Sequence, residues 1–204
     1  MSLAHVYWLG GSACAGKTSV ARRLAAEHGL ALYSCDDRFE EHRRRADPVR
    51  HARFRRVADR TPEELWSGPA EVQAAELLGF YEDELEMVCE DLAAISRPVL
   101  AEGVGLLPER IADVLVAPHR AVWLIATADF RRRAYPGRGS FVAEMLERYD
   151  DPERTFAAWM RRDSIIADAL LEGARRTGGA VLHVDGSRTI EETASTVAGL
   201  LQIL

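Results

Sequence analysis

The stretch GGSACAGKTS, residues 10–19, contains Lys17, the only lysine among the 26 Lys and Arg residues of the chain. Because arginine supplies every other cationic side chain of this kind, position 17 has a requirement that arginine does not meet. Lysine carries a compact charge on a flexible stem, whereas the guanidinium group of arginine is a wide planar fork. The stretch therefore predicts a site where one ammonium group reaches into a confined space.

Residues 11–18, GSACAGKT, match the pattern GxxxxGK[ST]. An apolar run precedes them and the amphipathic stretch SVARRLAAEHG follows, which is the strand and helix setting that the motif requires. In such a loop, glycines let several backbone N–H groups point into one hollow, and the helix N-terminus adds a partial positive charge. We predict that Lys17 reaches the terminal phosphates of a nucleotide and that the hydroxyl of Thr18 binds Mg²⁺. The predicted nucleotide contacts in the loop are Gly11, Ser12, Ala13, Cys14, Ala15, Gly16, Lys17, Thr18 and Ser19.

Five short apolar runs predict buried strands, each followed by helix signals, at residues 5–9, 30–35, 98–103, 120–126 and 180–186. Because these runs are continuously apolar, both faces of the sheet should be covered by helices, as in parallel α/β sheets. Helix starts are predicted at Thr61, at Asp151, and at Ser187 or Thr189. The whole chain, 1–204, is predicted to form one α/β domain.

Two connections of this sheet are much longer than a crossover helix requires. One lies between the second and third predicted strands, and the other between the fourth and fifth. We therefore predict two insertions over the carboxyl edge of the sheet, at 36–97 and at 129–178, the latter including the helix that follows it.

Composition limits the possible partners and location. The net charge of −6 disfavours general nucleic-acid binding. Three cysteines without CxxC spacing, together with the lack of a recognisable secretory signal, predict reduced thiols in the cytoplasm. No apolar stretch reaches the roughly 18 residues of a membrane span. A monomer and a homodimer are both compatible with the sequence.

With these features the chain resembles the P-loop kinases of small metabolites, the group that includes nucleoside monophosphate kinases, shikimate kinase, gluconate kinase and chloramphenicol phosphotransferase. The resemblance covers the whole chain in layout and is specific only in the phosphate loop. It implies a three-layer P-loop NTPase fold with a five-stranded parallel sheet, an acceptor-binding insertion after strand 2 and a lid after strand 4. It also implies an ATP- and Mg²⁺-dependent phosphotransferase that acts on a hydroxyl or phosphate group of a small molecule.

Two consecutive acids, Asp36 and Asp37, follow the second predicted strand. The carboxyl ends of parallel strands face the ligand in such sheets. The resemblance implies an aspartate here that accepts the proton of the acceptor hydroxyl or helps to bind magnesium. Because consecutive side chains at a strand end point in opposite directions, we expect one of the two, preferably Asp36, to face the site. Capping of the helix predicted at EEHRRR is an additional role for one of them.

A further acid, Glu102, ends the third predicted strand, within AEG at 101–103. The resemblance implies that this acid holds a magnesium-bound water or the acceptor, and that Gly103 lets the acceptor approach the backbone. A carboxylate at the end of an apolar central strand is costly unless a ligand or a cation compensates it. We therefore predict Glu102 as a metal-site residue.

The segment 42–60, HRRRADPVRHARFRRVADR, has eight arginines against Asp47 and Asp59. In the monophosphate kinases the corresponding insertion clamps a phosphate with arginines, which makes an anionic acceptor one expectation. A second interpretation pairs these arginines with the acidic stretch at 82–91. A nucleic-acid face is less favoured, because Phe54 is the only aromatic residue among them.

The second insertion begins with FRRRAYPGRG, 130–139, in which we predict Arg133 and Arg138 to stabilise the charge of the transition state. Four aromatic residues of this insertion are expected to form the core of the lid: Tyr135, Phe141, Phe156 and Trp159. After the last strand, Gly186 and Ser187 are predicted to contact the adenine.

Two alternative functions remain open from the sequence. One is a nucleotide-binding ATPase or switch protein without an acceptor, and the other is a kinase of nucleic-acid ends. The chain contains no asparagine, so it lacks the asparagine-lysine-x-aspartate signature that binds guanine in GTPases.

Overall fold

The computed structural model describes residues 3–203 and contains a five-stranded sheet in the order β2-β3-β1-β4-β5. All neighbouring strands are parallel. The strands are β1 (Val6–Gly11), β2 (Ala31–Ser34), β3 (Val99–Glu102), β4 (Ala121–Ala126) and β5 (Ala180–Val184). The predicted five-stranded parallel sheet is confirmed, and each strand lies within two residues of its predicted run.

Ten α-helices are present in the described residues. They are α1 (Lys17–His28), α2 (Phe39–Arg45), α3 (Ala52–Ala58), α4 (Pro62–Leu65), α5 (Ala70–Ala93), α6 (Pro108–Ala112), α7 (Ala128–Ala134), α8 (Phe141–Leu146), α9 (Pro152–Arg176) and α10 (Ile190–Leu201). Between residues 3 and 203, no helix combines the length and the hydropathy that crossing a membrane requires.

Helices cover both faces of the sheet, and alternate side chains of β1 pack on opposite layers. Trp8 lies in a cluster with Val88 of α5 and Leu170 of α9. Leu9 lies in the other cluster, with residues of α1 and α10. All six residues of β4 are buried. This two-sided burial is the reason why the strands are continuously apolar in sequence.

The predicted helix starts are confirmed for three helices. Thr61 and Thr189 form capping boxes with Glu64 and Glu192, and Asp151 accepts a hydrogen bond from the backbone N–H of Arg154 at 3.0 Å. These caps satisfy N–H groups that have no partner within the first turn of a helix.

The prediction that Asp36 or Asp37 caps α2 is wrong. These residues begin a short 3-10 turn, Asp36–Arg38, which runs directly into α2, and α2 has no side-chain cap. The backbone N–H of Phe39 donates to the carbonyl of Asp36. Because the backbone of the 3-10 turn already satisfies this N–H group, neither carboxylate is needed for capping.

Most arginines of the segment 42–60 are paired with acids, many of them in the stretch 82–91. Arg45 contacts Asp91 at 2.6 Å, and Arg50 contacts Glu86 at 2.7 Å. Arg53 binds both Glu82 and Asp83. The structure therefore has the intramolecular pairing that the second interpretation of this segment predicts.

A buried histidine joins α2 to α5. His42 has no exposed surface. Its Nδ1 lies 3.1 Å from Oε1 of Glu84, and its Nε2 lies 3.1 Å from Oδ2 of Asp91. The hydroxyl of Tyr33 also donates to Asp91, and Arg45 pairs with the same carboxylate. Burial disfavours the charged ring, but the hydrogen bonds with the two acids outweigh burial and raise the pKa of His42.

We expect this cluster to make the folded state depend on pH. A raised pKa means that the charged ring stabilises the fold fully below the pKa of unfolded histidine, about 6.5, and that this contribution is lost as pH rises through the folded-state pKa. His42→Gln should lower the free energy of unfolding by about 3 kcal/mol at pH 6, because it breaks a buried ion pair, and by less at pH 9.

Urea denaturation of both proteins between pH 6 and pH 9 measures this difference. The matched control is His183→Gln, because His183 is exposed on β5. A cost for His42→Gln that stays constant or grows with pH would contradict the charge assignment.

Candidate active site

Two glycines shape the loop between β1 and α1. Gly11 has φ of 132°, and a Cβ atom there would lie 2.0 Å from the backbone oxygen of Leu124. Gly16 has φ of 78° and immediately precedes α1. These positive φ angles favour glycine, and the contact with Leu124 leaves no room for a side chain at position 11. Cys14, with φ of 61°, is a non-glycine residue in the same left-handed region.

The loop is tied to the neighbouring strand β4 through Ser12. The backbone N–H of Ser12 donates to the carbonyl of Leu124 at 2.9 Å, and its hydroxyl accepts from the N–H of Ala126 at 2.8 Å. Gly11 and Ser12 are buried, whereas residues 13–19 line a cavity above them. Among the predicted loop contacts, Ala13 to Ser19 are thus the ones that a ligand in this cavity would reach.

Lys17 is only 8% exposed, and its ammonium group donates to the carbonyl of Ser12 at 2.8 Å. Burial lowers the pKa of Lys17, and the nearby carboxylates of Glu102 and Asp36 oppose this effect. The ammonium group is therefore held inside the site, next to two acids, rather than in solvent.

Thr18 and Glu102 meet at the end of the central strands. The hydroxyl of Thr18 donates to Oε1 of Glu102 at 3.1 Å, and Glu102 is 3% exposed. Glu102 is the last residue of β3 and lies in register with Leu9 of β1 and Ser34 of β2. The parallel sheet thus brings this carboxylate to the first turn of α1.

The structure gives Gly103 a packing role. A Cβ atom at Gly103 would lie 2.8 Å from both Cβ and Sγ of Cys35. Cys35 is itself buried. The small size of Gly103 therefore makes room for the Cys35 side chain, and the approach of an acceptor to its backbone stays a prediction.

The cavity above the loop has a volume of about 310 Å³ and brings together residues that are distant in sequence. Besides the loop, Asp36, Glu102 and Arg138 line it. Asp37 is exposed and does not line it, so Asp36 is the acid of the pair that the structure brings to the loop.

The two predicted lid arginines are placed differently. Arg138 lines the cavity, and its guanidinium carbon lies 5.5 Å from the ring centre of Tyr135 and 5.8 Å from that of Phe141. Arg133 is exposed on α7 and does not line this cavity.

The Cys14 thiol of the phosphate loop lies near Arg138. Burial raises the pKa of this thiol, and the guanidinium group of Arg138 opposes the rise.

The loop after β5 runs beside the phosphate loop without lining the cavity. Gly186 has φ of 90° and packs against Phe130, and the exposed Ser187 donates its backbone N–H to Asp185 at 2.9 Å. Ile190, which follows this loop, lies next to Gly16 of the phosphate loop: a Cβ atom built at Gly16 would be 3.2 Å from its Cδ1 atom. The predicted contacts of Gly186 and Ser187 with adenine therefore remain predictions.

A second chamber, of about 220 Å³, adjoins the first, and both are lined by Ala13, Asp36, Val104 and Arg138. Sequence reasoning missed four residues of its wall: Trp66, Tyr81, Arg162 and Asp163. A signal for two of them was present, because Arg162 and Asp163 stand three and four residues after Trp159, and Ile166 continues the same helix face. That periodicity indicates that this part of α9 is inward-facing despite its charges.

The Arg162 and Asp163 side chains form a buried pair in this wall. Nε and Nη2 of Arg162 donate to Oδ1 of Asp163 at 2.9 and 2.7 Å, and the Tyr135 hydroxyl donates to Oδ2. The Arg162 guanidinium carbon also lies 4.1 Å from the ring centre of Trp66. Trp159 donates its indole N–H to the Tyr135 hydroxyl at 3.0 Å, which completes the network.

Solved structures with a similar fold are known. A shikimate kinase from Bacteroides thetaiotaomicron is 20% identical, with a TM-score of 0.52 over 97% of this chain and 98% of that one. The chain has the fold of a P-loop small-molecule kinase. A protein from Thermus thermophilus is 16% identical, with a TM-score of 0.54 over 98% of this chain and 97% of that one. No protein-family model matches the sequence, and a search of curated proteins finds no match. At these identities the P-loop kinase similarity establishes the fold.

The loop geometry predicts that anions bind through Lys17. Pyrophosphate should raise the melting temperature of the protein, since ligands that bind only the folded state stabilise it. Lys17→Ala should abolish most of this increase without unfolding the protein. The matched control is Arg22→Ala, because Arg22 is an exposed cation on α1. Differential scanning fluorimetry measures both, and an equal shift in Lys17→Ala would contradict the assignment.

Proposed function

We propose that this protein is an ATP- and Mg²⁺-dependent phosphotransferase that acts on a hydroxyl or phosphate group of a small molecule. The observation that carries the proposal is the cavity above the phosphate loop, in which Lys17, Asp36 and Arg138 line the same space. A phosphate-binding cation, an acid next to the acceptor position and a lid cation are the groups that phosphoryl transfer needs.

The loop would hold the phosphates of ATP. Its backbone N–H groups and the N-terminus of α1 favour anions, and Lys17 would move from the carbonyl of Ser12 to the terminal phosphates. Exchange of one oxygen ligand for another keeps the buried ammonium group hydrogen-bonded. This exchange explains how a lysine with a lowered pKa can still bind a phosphate as a cation.

The donor atoms at Thr18 and Glu102 suit Mg²⁺, which prefers oxygen ligands and usually combines one or two protein groups with phosphate oxygens and water. The 3.1 Å contact between the Thr18 hydroxyl and the Glu102 carboxylate brings such oxygens together at the loop. Thr18 and Glu102 would hold the ion, which would neutralise charge on the β- and γ-phosphates.

Asp36 is placed to act on the acceptor, since it lines both the phosphate cavity and the adjoining chamber. For a hydroxyl acceptor, the oxygen forms a bond to the γ-phosphorus while the bond from that phosphorus to the β–γ bridging oxygen breaks. The hydroxyl proton passes to the Asp36 carboxylate, and ADP leaves with the bridging oxygen. Arg138 would stabilise the charge that spreads over the transferring phosphoryl group.

The alternative functions receive less support. An ATPase or switch protein has no need of the second chamber that continues from Asp36. For a nucleic-acid-end kinase, a free cationic surface would be expected on 42–60, but Arg45, Arg50 and Arg53 are paired with acids.

Asp36→Asn should lower the rate of phosphoryl transfer by about 10²-fold or more, because general bases contribute about 10² to 10⁴. ATP affinity should stay within a few-fold of wild type. Asp37→Asn, next in sequence and outside the cavity, should retain the wild-type rate. A coupled assay of ADP formation, run with a panel of small hydroxyl and phosphate acceptors, and calorimetry with ATP measure the two effects. Equal rates for both variants would remove Asp36 from the mechanism.

Arg138→Ala should reduce kcat by about 10²-fold with little change in ATP affinity, as expected for the loss of a contact made mainly in the transition state. Arg133→Ala is the matched control and should leave kcat unchanged, since Arg133 lies outside the cavity. The same assay and calorimetry distinguish them. The reverse ranking would show that the lid acts through Arg133.

A further inference from the structure

Five aromatic residues contribute to the wall of the chamber next to Asp36. Trp66, Tyr81, Tyr135, Phe141 and Trp159 contribute to it. The ring centres of Trp66 and Trp159 are 3.9 Å apart, and those of Tyr135 and Trp159 are 4.8 Å apart in an edge-to-face arrangement. Packed rings of this kind offer flat apolar surfaces to a ligand.

The charges of this inner chamber do not provide a free cation for an anionic acceptor. Asp36 and Arg138 are shared with the phosphate cavity, where they serve the transfer step. Arg162 is 7% exposed and is neutralised by Asp163, whose carboxylate oxygens also accept from Tyr135. An acceptor carboxylate or phosphate placed here would lose its hydration without gaining an unpaired counter-charge, which is unfavourable.

An outer chamber of about 480 Å³ adjoins the inner chamber. Trp66, Leu77, Tyr81 and Arg162 line both. The outer chamber adds apolar side chains of Phe39, Leu65 and Phe80, among others.

The charged groups of the outer chamber are also paired with one another. Arg60 makes two hydrogen bonds to Glu76, at 2.5 and 2.7 Å, and Arg43 lies 3.4 Å from Glu40. This chamber, like the inner one, is therefore apolar with internally balanced charges.

Gln73 lines the outer chamber and has one buried polar atom without a partner in the described structure. Gln73 is 5% exposed, and its Nε2 donates to the backbone carbonyls of Trp66, Ser67 and Gly68. These three bonds fix the orientation of the amide, and Oε1 is buried without a hydrogen bond in the described structure. Because this oxygen has almost no accessible surface, a ligand in the chamber does not reach it, and Gln73 contributes packing surface to the wall.

We infer that the phosphoryl acceptor is an uncharged, hydroxyl-bearing molecule with an aromatic or other flat apolar body that spans both chambers. Its hydroxyl lies at Asp36, and its body lies between the aromatic side chains. The inference rests on the proposed function, because the assignment of the hydroxyl to the Asp36 end of the chamber assumes phosphoryl transfer. It differs from the anionic acceptor that the arginine-rich segment led us to expect.

Binding of two probes that differ in charge tests the inference. The probes are 4′-(hydroxymethyl)biphenyl-4-carboxamide and the corresponding carboxylate, which have nearly the same shape. Their binding can be followed by tryptophan fluorescence, because Trp66 and Trp159 line the inner chamber while Trp8 and Trp123 are buried in the sheet core. We expect the carboxamide to bind at least about tenfold more tightly, since it avoids burial of a charge that has no unpaired counter-charge in the chambers.

The role of the outer chamber is tested with a pair of matched variants. Ala58 lines the outer chamber only, and Ala58→Phe should fill part of it. The variant should lose at least about tenfold in affinity for the two-ring carboxamide and retain its affinity for the one-ring probe 4-methylbenzyl alcohol. Ala75→Phe, at an exposed position of α5 outside both chambers, should bind both probes as the wild type does.

The outcomes separate this inference from the proposed function. Equal or tighter binding of the carboxylate, binding of neither two-ring probe, or an Ala58→Phe variant that keeps the wild-type affinity would overturn the inference. Transfer of phosphate from ATP to the carboxamide alcohol, detected by mass spectrometry, tests the kinase activity separately. Tight carboxamide binding without any phosphorylated product would support the acceptor class and contradict the phosphotransferase.

Discussion

The buried ammonium group of Lys17 is the constraint around which the site is arranged. A cation that is 8% exposed must be compensated, and the carbonyl of Ser12 together with the carboxylates of Glu102 and Asp36 does this. Glu102 comes from β3 and Asp36 follows β2, so the compensation requires three neighbouring strands to end at the same edge. The order β2-β3-β1 meets this requirement, and the same two acids line the cavity above the loop.

The acceptor insertion is held in place by charges that do not enter the site. His42 joins α2 to Glu84 and Asp91 of α5, and Arg53 joins α3 to the same helix. Because the 3-10 turn that contains Asp36 runs directly into α2, these contacts also fix the direction from which Asp36 approaches the loop. His42 and Arg53 of the arginine-rich segment thus support the geometry of the site without lining the cavity above the loop.

The lid and the acceptor insertion meet through aromatic and ionic contacts. Trp66, which precedes α5, packs on Trp159 of α9. Arg162 stacks on the indole of Trp66. Arg148 of the lid pairs with Glu63 on α4. In this arrangement residues of both segments line the chamber beside Asp36, and Arg138 lines the cavity above the loop. In the proposed reaction, exclusion of water from this chamber would favour transfer to an acceptor over hydrolysis.

Local sequence determined the parts of this protein that depend on neighbouring residues. Continuous apolar runs predicted the strands, threonine and aspartate caps predicted helix starts, and Gly11 to Thr18 predicted the loop, because backbone conformation and capping are set within a few residues. The tertiary structure decided which charged groups face the site. Asp36 rather than Asp37, and Arg138 rather than Arg133, line the cavity because of the turn into α2 and the packing of the lid. The pairing of Arg162 with Asp163 inside an aromatic wall, and of the 42–60 arginines with α5, likewise depends on which helices pack together. The sequence does not show whether a charged side chain is free or is neutralised by a residue far away in the chain. Only folding brings such a partner within contact distance.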